Sequence, residues 1–257
     1  MSKPASEHQQ ALREAWDDMI QALESARDAI DSPELMPPPP SDRNLAEGYR
    51  YLMGYVHAAV ERAFHSDTER PQFRNALSVI TRSTIDNADA IYFYAPIDGA
   101  QSYRVSGVCG DARHWRGEEP VTEGPKAPHY MIFEATSGAL PGDTGSLMEL
   151  KPGVKAQTGR LDSSSLVVAD DGRFEILLAP EKPAGYSGNF ICTSRQMKSA
   201  EGAGETRYAN YLSGRQLFGD WACEEAVHLE IVQLGAEGTH APAYNVDTAV
   251  SELRQCG

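Results

Sequence analysis

Two regimes of hydrophobic spacing divide the chain. Over residues 6–31, Leu12, Trp16, Met19, Ile20, Leu23 and Ile30 recur at helical spacing, with Arg, Glu and Asp on the remaining positions. That pattern predicts an amphipathic helix. Ser32 and Pro33 end it, and four prolines at 37–40 predict a stiff polyproline connector. Ser41 or Asp42 then caps a second helix running to about Phe64, with a stripe of Leu45, Tyr49, Leu52, Val56, Ala59, Val60 and Ala63. These stripes are expected to bury against each other or against the sheet that follows. A weaker helical segment is predicted over 72–80.

After Asn87 the period shortens to two. Apolar, aromatic and β-branched runs at 91–95, 102–106, 129–136, 164–169, 174–179, 189–193, 211–218 and 227–234 predict strands. Asp98-Gly99 predicts a hairpin between the first two, and Asp170-Asp171-Gly172 predicts a hairpin between 164–169 and 174–179. Glycine- and proline-rich stretches at 117–128, 139–145 and 202–206 read as loops. Short strands with no helices between them predict antiparallel pairing. The expected fold is therefore α+β: amphipathic helices over residues 1–84 packed on an antiparallel β-sandwich, jelly-roll-like, over 85–236. Residues 237–257 form a tail in which Val246, Ala249, Val250 and Leu253 begin a helical stripe. Two readings of that tail stay open, a short closing helix and a chain that continues.

Charge removes several function classes. Lys and Arg total 23 against 37 Asp and Glu, a net charge of -14. Nucleic-acid partners and anionic membranes need clustered cations, so neither is expected. No apolar run reaches the roughly 18 residues of a membrane span, and the N-terminus has no apolar core of a signal peptide. Cys109, Cys192, Cys223 and Cys256 are widely separated, which predicts reduced thiols and a cytoplasmic address. The seven histidines include no His-x-His or Glu-x-x-His pair, and no glycine-rich loop joins a strand to a helix. No metal and no cofactor is expected.

What chemistry remains clusters near strand ends. Tyr211, Ser213 and Arg215 share one strand face, and Arg215 is a carboxylate clamp or the partner of Asp220, Asp98 or Asp89. Asp86, Asn87 and Asp89 have the composition of an Asx turn. Tyr92 and Tyr94 share a face, near Tyr103. His129 and Glu134 fall on opposite faces of one predicted strand.

Five segments, in order from about residue 43 to 234, resemble a bacterial family known as domain of unknown function 1214. They are Asn44 through Leu52, Asp86 through Tyr92, Ile97-Asp98-Gly99 with Ser102 through Gly107, Asp171 through Ile176, and Arg215 through Trp221. Ala88 stands where the family usually has proline, and Asn189-Phe190 where Asn-Trp is common. The resemblance implies a jelly-roll-like β domain and no established chemistry.

Two functions are weighed. In one, the chain handles a small molecule, as a cofactor-free lyase, isomerase or hydrolase on a carbonyl or carboxylate compound. Arg215 anchors the anion, while Tyr92, Tyr103, His129 or Asp220 moves protons, and Trp221, Asp98, Asp89 and Asn189 line the ligand. In the other, it is a non-catalytic ligand-binding or interaction module whose helices support a homodimer.

Overall fold

A computed structural model describes residues 6–30, 32–35, 39, 41–81, 87–119, 123–138, 151–199 and 202–257. The fold is α+β, in two units: one of residues 1–66, 78–84 and 240–257, the other of 67–77 and 85–239. Prolines 37, 38 and 40 of the predicted connector, Asp86, and the loop at 139–145 lie outside the described residues.

The first unit is helical. Its helices are α1 (Glu7–Ala29), α2 (Asp42–Phe64) and α3 (Val246–Cys256). Each starts on a side-chain oxygen that accepts an otherwise orphaned backbone N–H: Ser6 from Gln9, Ser41 from Asn44, Asn245 from Thr248. In α1 the Gln9 side chain answers back to Ser6, completing a capping box. α3 packs against both α1 and α2, so residues 246–256 belong with the N-terminal helices. Burial here falls on small residues: Ala15, Gly54, Ala58, Ala63 and Cys256. The predicted stripes are corrected in part. Leu12, Met19, Leu23, Ile30, Leu52, Val56 and Ala59 are half-buried and Ala63 is buried, whereas Trp16 and Ile20 of α1 and Leu45, Tyr49 and Val60 of α2 are exposed.

Among the described residues, the second unit holds eleven strands. They are β1 (Arg74–Asn75), β2 (Ala90–Pro96), β3 (Tyr103–Val108), β4 (Tyr130–Ser137), β5 (Ala156–Asp162), β6 (Arg173–Ala179), β7 (Asn189–Cys192), β8 (Ser194–Ser199), β9 (Gly202–Tyr208), β10 (Tyr211–Leu217) and β11 (His228–Gln233). One sheet has the order β1-β2-β10-β4-β5 and the other β11-β3-β6-β7, while β8 and β9 form a separate ribbon. Pairing is antiparallel except for β6 with β7, which run parallel. A single apolar cluster joins the two sheets into a sandwich, taking Phe93, Met131, Phe133 and Leu212 from one and Tyr103, Phe174, Ile176 and Leu178 from the other. Phe133 and Phe174 meet edge-on across it, with ring centroids 6.4 Å apart.

Four local expectations are overturned. The segment 72–80 is not helical, since β1 pairs with β2 through Arg74 and Tyr94. The turn at Asp98-Gly99 does not close a hairpin: β2 lies in the first sheet and β3 in the second. Gly99 is held instead by Ala209 and Thr193, donating to the Ala209 carbonyl at 2.7 Å and accepting from the Thr193 hydroxyl at 2.7 Å. Residues 163–169 form a turn and an irregular stretch, not a strand. Gly202-Ala203-Gly204 opens β9 and is not a loop.

Candidate functional site

Strand β10 is central in the five-stranded sheet and sets up the candidate site. Its inward positions, Leu212, Gly214 and Gln216, are buried, while Arg215 on the outer face is exposed. Register places Tyr92 of β2 and Ile132 of β4 directly beside Arg215, and Tyr94 and Glu134 beside Ser213. Farther along the same rows, Asp162 lies beyond Ile132 and Arg160 beyond Glu134, both on β5. Directly opposed residues share a face and hold their Cβ atoms about 5 Å apart. The outer face of this sheet is therefore lined by Tyr92, Tyr94, Tyr130 and Tyr211, with Arg215 among them. Tyr94 and Tyr211 are buried together with Ala76 against them.

The guanidinium of Arg215 forms no ion pair among the described residues, so its expected pairing with Asp220, Asp98 or Asp89 does not occur. Its field still reaches Tyr130. Burial raises the Tyr130 hydroxyl pKa, Asp162 raises it further, and Arg215 pulls it back down.

The strand ends beside this face are tied into one corner. The backbone N–H of Phe218, just after β10, donates to the Asp89 carbonyl just before β2 at 2.8 Å. Trp221 stacks on Phe218 with centroids 3.9 Å apart, and its indole N–H donates to Asp89 Oδ1 at 3.3 Å. Asp89 is held in turn by the Asn87 side chain, which accepts its N–H at 2.9 Å, the expected Asx turn. Glu224 Oε2 accepts the backbone N–H groups of both His129 and Gly219, at 3.0 and 2.9 Å. His129 thus sits at the corner, just ahead of β4. Asp220 caps the turn that carries Trp221. Its carboxylate accepts the Ala222 N–H at 2.9 Å and the Cys223 thiol at 3.3 Å, and these bonds, the backbone one first, hold its pKa below the usual range. The same bond from the other side raises the Cys223 thiol.

The remaining candidates lie elsewhere and are structurally committed. Tyr103 is fully buried; its hydroxyl donates to the Thr68 carbonyl at 3.0 Å and accepts the Asp98 N–H at 2.8 Å. Burial raises its pKa. Asp98 Oδ1 accepts the Ala100 N–H at 3.0 Å and so shapes the turn between the sheets. Asn189 donates both amide protons, to the Val167 and Glu175 carbonyls, and accepts the Val167 N–H at 2.8 Å. It pins the irregular 163–169 stretch to β6 and β7, with no amide proton left for a ligand. The structure thus gathers Arg215 with Tyr92, and His129, Asp220, Trp221 and Asp89 at the neighbouring corner. It separates Tyr103, Asp98 and Asn189 from both.

Tyr130, Arg160 and Asp162 belong to the outer face and were not singled out from sequence. Alternation along β4 carries the signal for Tyr130. No comparable signal exists for Arg160 and Asp162, because β5 (AQTGRLD) has no run of apolar residues. Among the described residues, no group of three or more His, Cys, Asp and Glu side chains is placed to hold a metal ion, and no helix is long and apolar enough to cross a membrane.

No known family profile matches the chain, and no curated protein matches it either. A solved structure of an uncharacterized protein from Burkholderia cenocepacia is similar, with a TM-score of 0.68 and 25% sequence identity. The similarity covers 96% of this chain and 59% of that one, so the chain spans about three fifths of its structural neighbour. The shared fold is what that likeness carries.

Proposed function

We propose that the protein handles a small carboxylate-bearing molecule on the outer face of its five-stranded sheet, with Arg215 as the anchor. The observation that carries this reading is Arg215 itself. It is an exposed guanidinium without an ion pair among the described residues, beside Tyr92 and with a field that reaches Tyr130, in a chain of net charge -14. A planar fork of N–H donors suits a carboxylate, and flanking phenols supply both an apolar wall and hydroxyl partners.

Binding without catalysis is the version the geometry favours. Tyr103 is enclosed and hydrogen-bonded on both sides, and Asp220 spends its carboxylate on a turn. A cofactor-free lyase, isomerase or hydrolase would have to move protons through Tyr92 or His129. Kinship with the domain of unknown function 1214 family and a cytoplasmic address belong to the same proposal, on the motifs and the thiol pattern given above.

The test is an NMR titration of the arginine Nε–Hε and tyrosine ring signals with acetate, lactate, benzoate and phenylacetate. We expect at least one to shift Arg215 saturably. Arg215→Ala should then weaken binding by about tenfold or more, and Arg215→Lys should recover only part, since lysine keeps the charge without the fork. If no carboxylate moves the Arg215 signal in a folded protein, the proposal is wrong.

A further inference from the structure

We infer that α2 is the interface of an antiparallel homodimer, a second copy of the same helix docking on its exposed stripe. Leu45, Tyr49, Met53, Val60 and Phe64 are exposed, Met53 at 61% and Phe64 at 55%. With partly buried Val56 they fall in one arc of about 100° on a helical wheel. The fully buried positions of α2 are small, Gly54, Ala58 and Ala63, with Leu52 half-buried, while these five large apolar side chains meet solvent. Summed over five side chains at these exposures, the row leaves roughly 500 Å² of apolar surface in water. Monomers seldom expose that much in one patch. It is about the apolar share of one side of a standard interface, which buries about 800 Å² per partner.

Three features select a second copy as the occupant. The stripe is self-complementary when reversed: a two-fold axis between Gly54 and Tyr55 sets Leu45 opposite Phe64, Tyr49 opposite Val60, and Met53 opposite Val56. Each layer then joins a bulky residue to another apolar one, as isologous packing requires. The flank is complementary too. Arg50 and Glu61 lie on the same edge of the stripe, and reversal brings Arg50 within two residues, about 3 Å along the axis, of level with Glu61 of the second copy. Two such pairs would close the dimer, one on each side of the axis. Finally, α2 carries no net charge, with Asp42, Glu47 and Glu61 balanced by Arg43, Arg50 and Arg62. In a chain of -14 this helix can meet its own copy without the repulsion that other acidic surfaces would add.

Sedimentation velocity of the full chain from about 1 to 100 μM tests this. A dimer is expected within that range. Met53→Glu places a charge in the central layer and should weaken association about a hundredfold or more, while the far-UV spectrum and melting temperature of the monomer stay unchanged. Arg50→Glu and Glu61→Arg should each weaken it several-fold, and the double variant should return to within about threefold of the original. A monomer throughout the range would overturn the inference. So would a dimer indifferent to Met53→Glu, or a charge swap that fails to rescue the single variants.

Discussion

The two units of this chain bury opposite kinds of residue. In the β unit the fully buried positions are large: Tyr103, Phe133, Met131, Ile176 and Leu178 fill the space between two sheets. In the three helices of the other unit the fully buried positions are alanine, glycine and cysteine; Leu12, Met19, Leu23, Ile30, Leu52 and Val56 are half-buried, and Trp16, Tyr49, Met53 and Phe64 are exposed. Burial of apolar surface is the main favourable term in folding, at about 25 cal/mol per Å². The β unit therefore gains more from burial than the helical unit, whose large apolar residues are at most half-buried. Three capped N-termini and close approach through small residues around α3 add to what the helices gain. A unit built that way keeps its larger hydrophobic surface for association.

Replacing Phe133 is the strongest way to break the contrast. Phe133 touches Phe93 and Phe174 through edge-on contacts and lies at the centre of the sandwich. Phe133→Ala should cost about 3–5 kcal/mol, transfer and cavity together. On the helical side, Met53→Ala at low protein concentration should change unfolding by no more than about 0.5 kcal/mol. Urea denaturation of both variants at a monomeric concentration decides the matter. Equal losses would mean that the helical unit has a large-residue core after all.

Overpacking sharpens the same point at smaller cost. Gly107 on β3 leaves room for the ring of Phe174 on the neighbouring strand β6; an added methyl would occupy the position of that ring. Gly107→Ala should destabilise by about 1–3 kcal/mol, as the ring is forced off its rotamer. Thermal unfolding reads this directly, and a neutral result would show that the core under Phe174 is looser than its burial implies.

Much of this architecture is legible in the sequence, and the failures have identifiable physical causes. Seven strands announce themselves because one side of each faces the core and the other does not. β5, β8 and β9 do not, being polar or glycine-rich segments whose pairing is decided by neighbours. Asp98-Gly99 correctly signals a chain reversal. A turn motif, however, fixes only local backbone, and whether the next strand joins the same sheet depends on Thr193 and Ala209, which are remote in sequence. The helical stripes mix inward positions, such as Leu12, Met19, Leu52 and Ala63, with exposed ones, such as Trp16, Tyr49 and Val60, because periodicity reports a face and not its partner. The candidate site shows the same limit. Arg215, Trp221 and Asp89 stand out by residue type, yet the pairing of Arg215 with Tyr92 and the tie of Trp221 to Asp89 are products of register. Nothing local distinguishes Tyr103 or Asn189, whose polar atoms serve the fold, from residues that serve a ligand.

The smallest expected effect compares one thiol from each unit. Cys109 follows β3, and burial lifts its thiol from the ordinary 9.0 to about 11. Cys256 ends α3; burial raises it as well, with Glu252 adding to the shift. A raised thiol means that the folded state favours the protonated form. Its stabilising contribution is complete below about pH 9 and is lost progressively as the pH climbs toward 11, when the unfolded chain ionises first. The urea midpoint should therefore fall over that interval, and Cys109→Ala should remove part of the fall. Alkylation at pH 8 then separates the units. Cys109 is half-buried and Cys256 buried, so exposure alone would make Cys109 react first. If the sandwich is the more stable, Cys256 should nonetheless gain more in rate with added urea, through local opening of the helices, and a larger gain at Cys109 would undo the comparison.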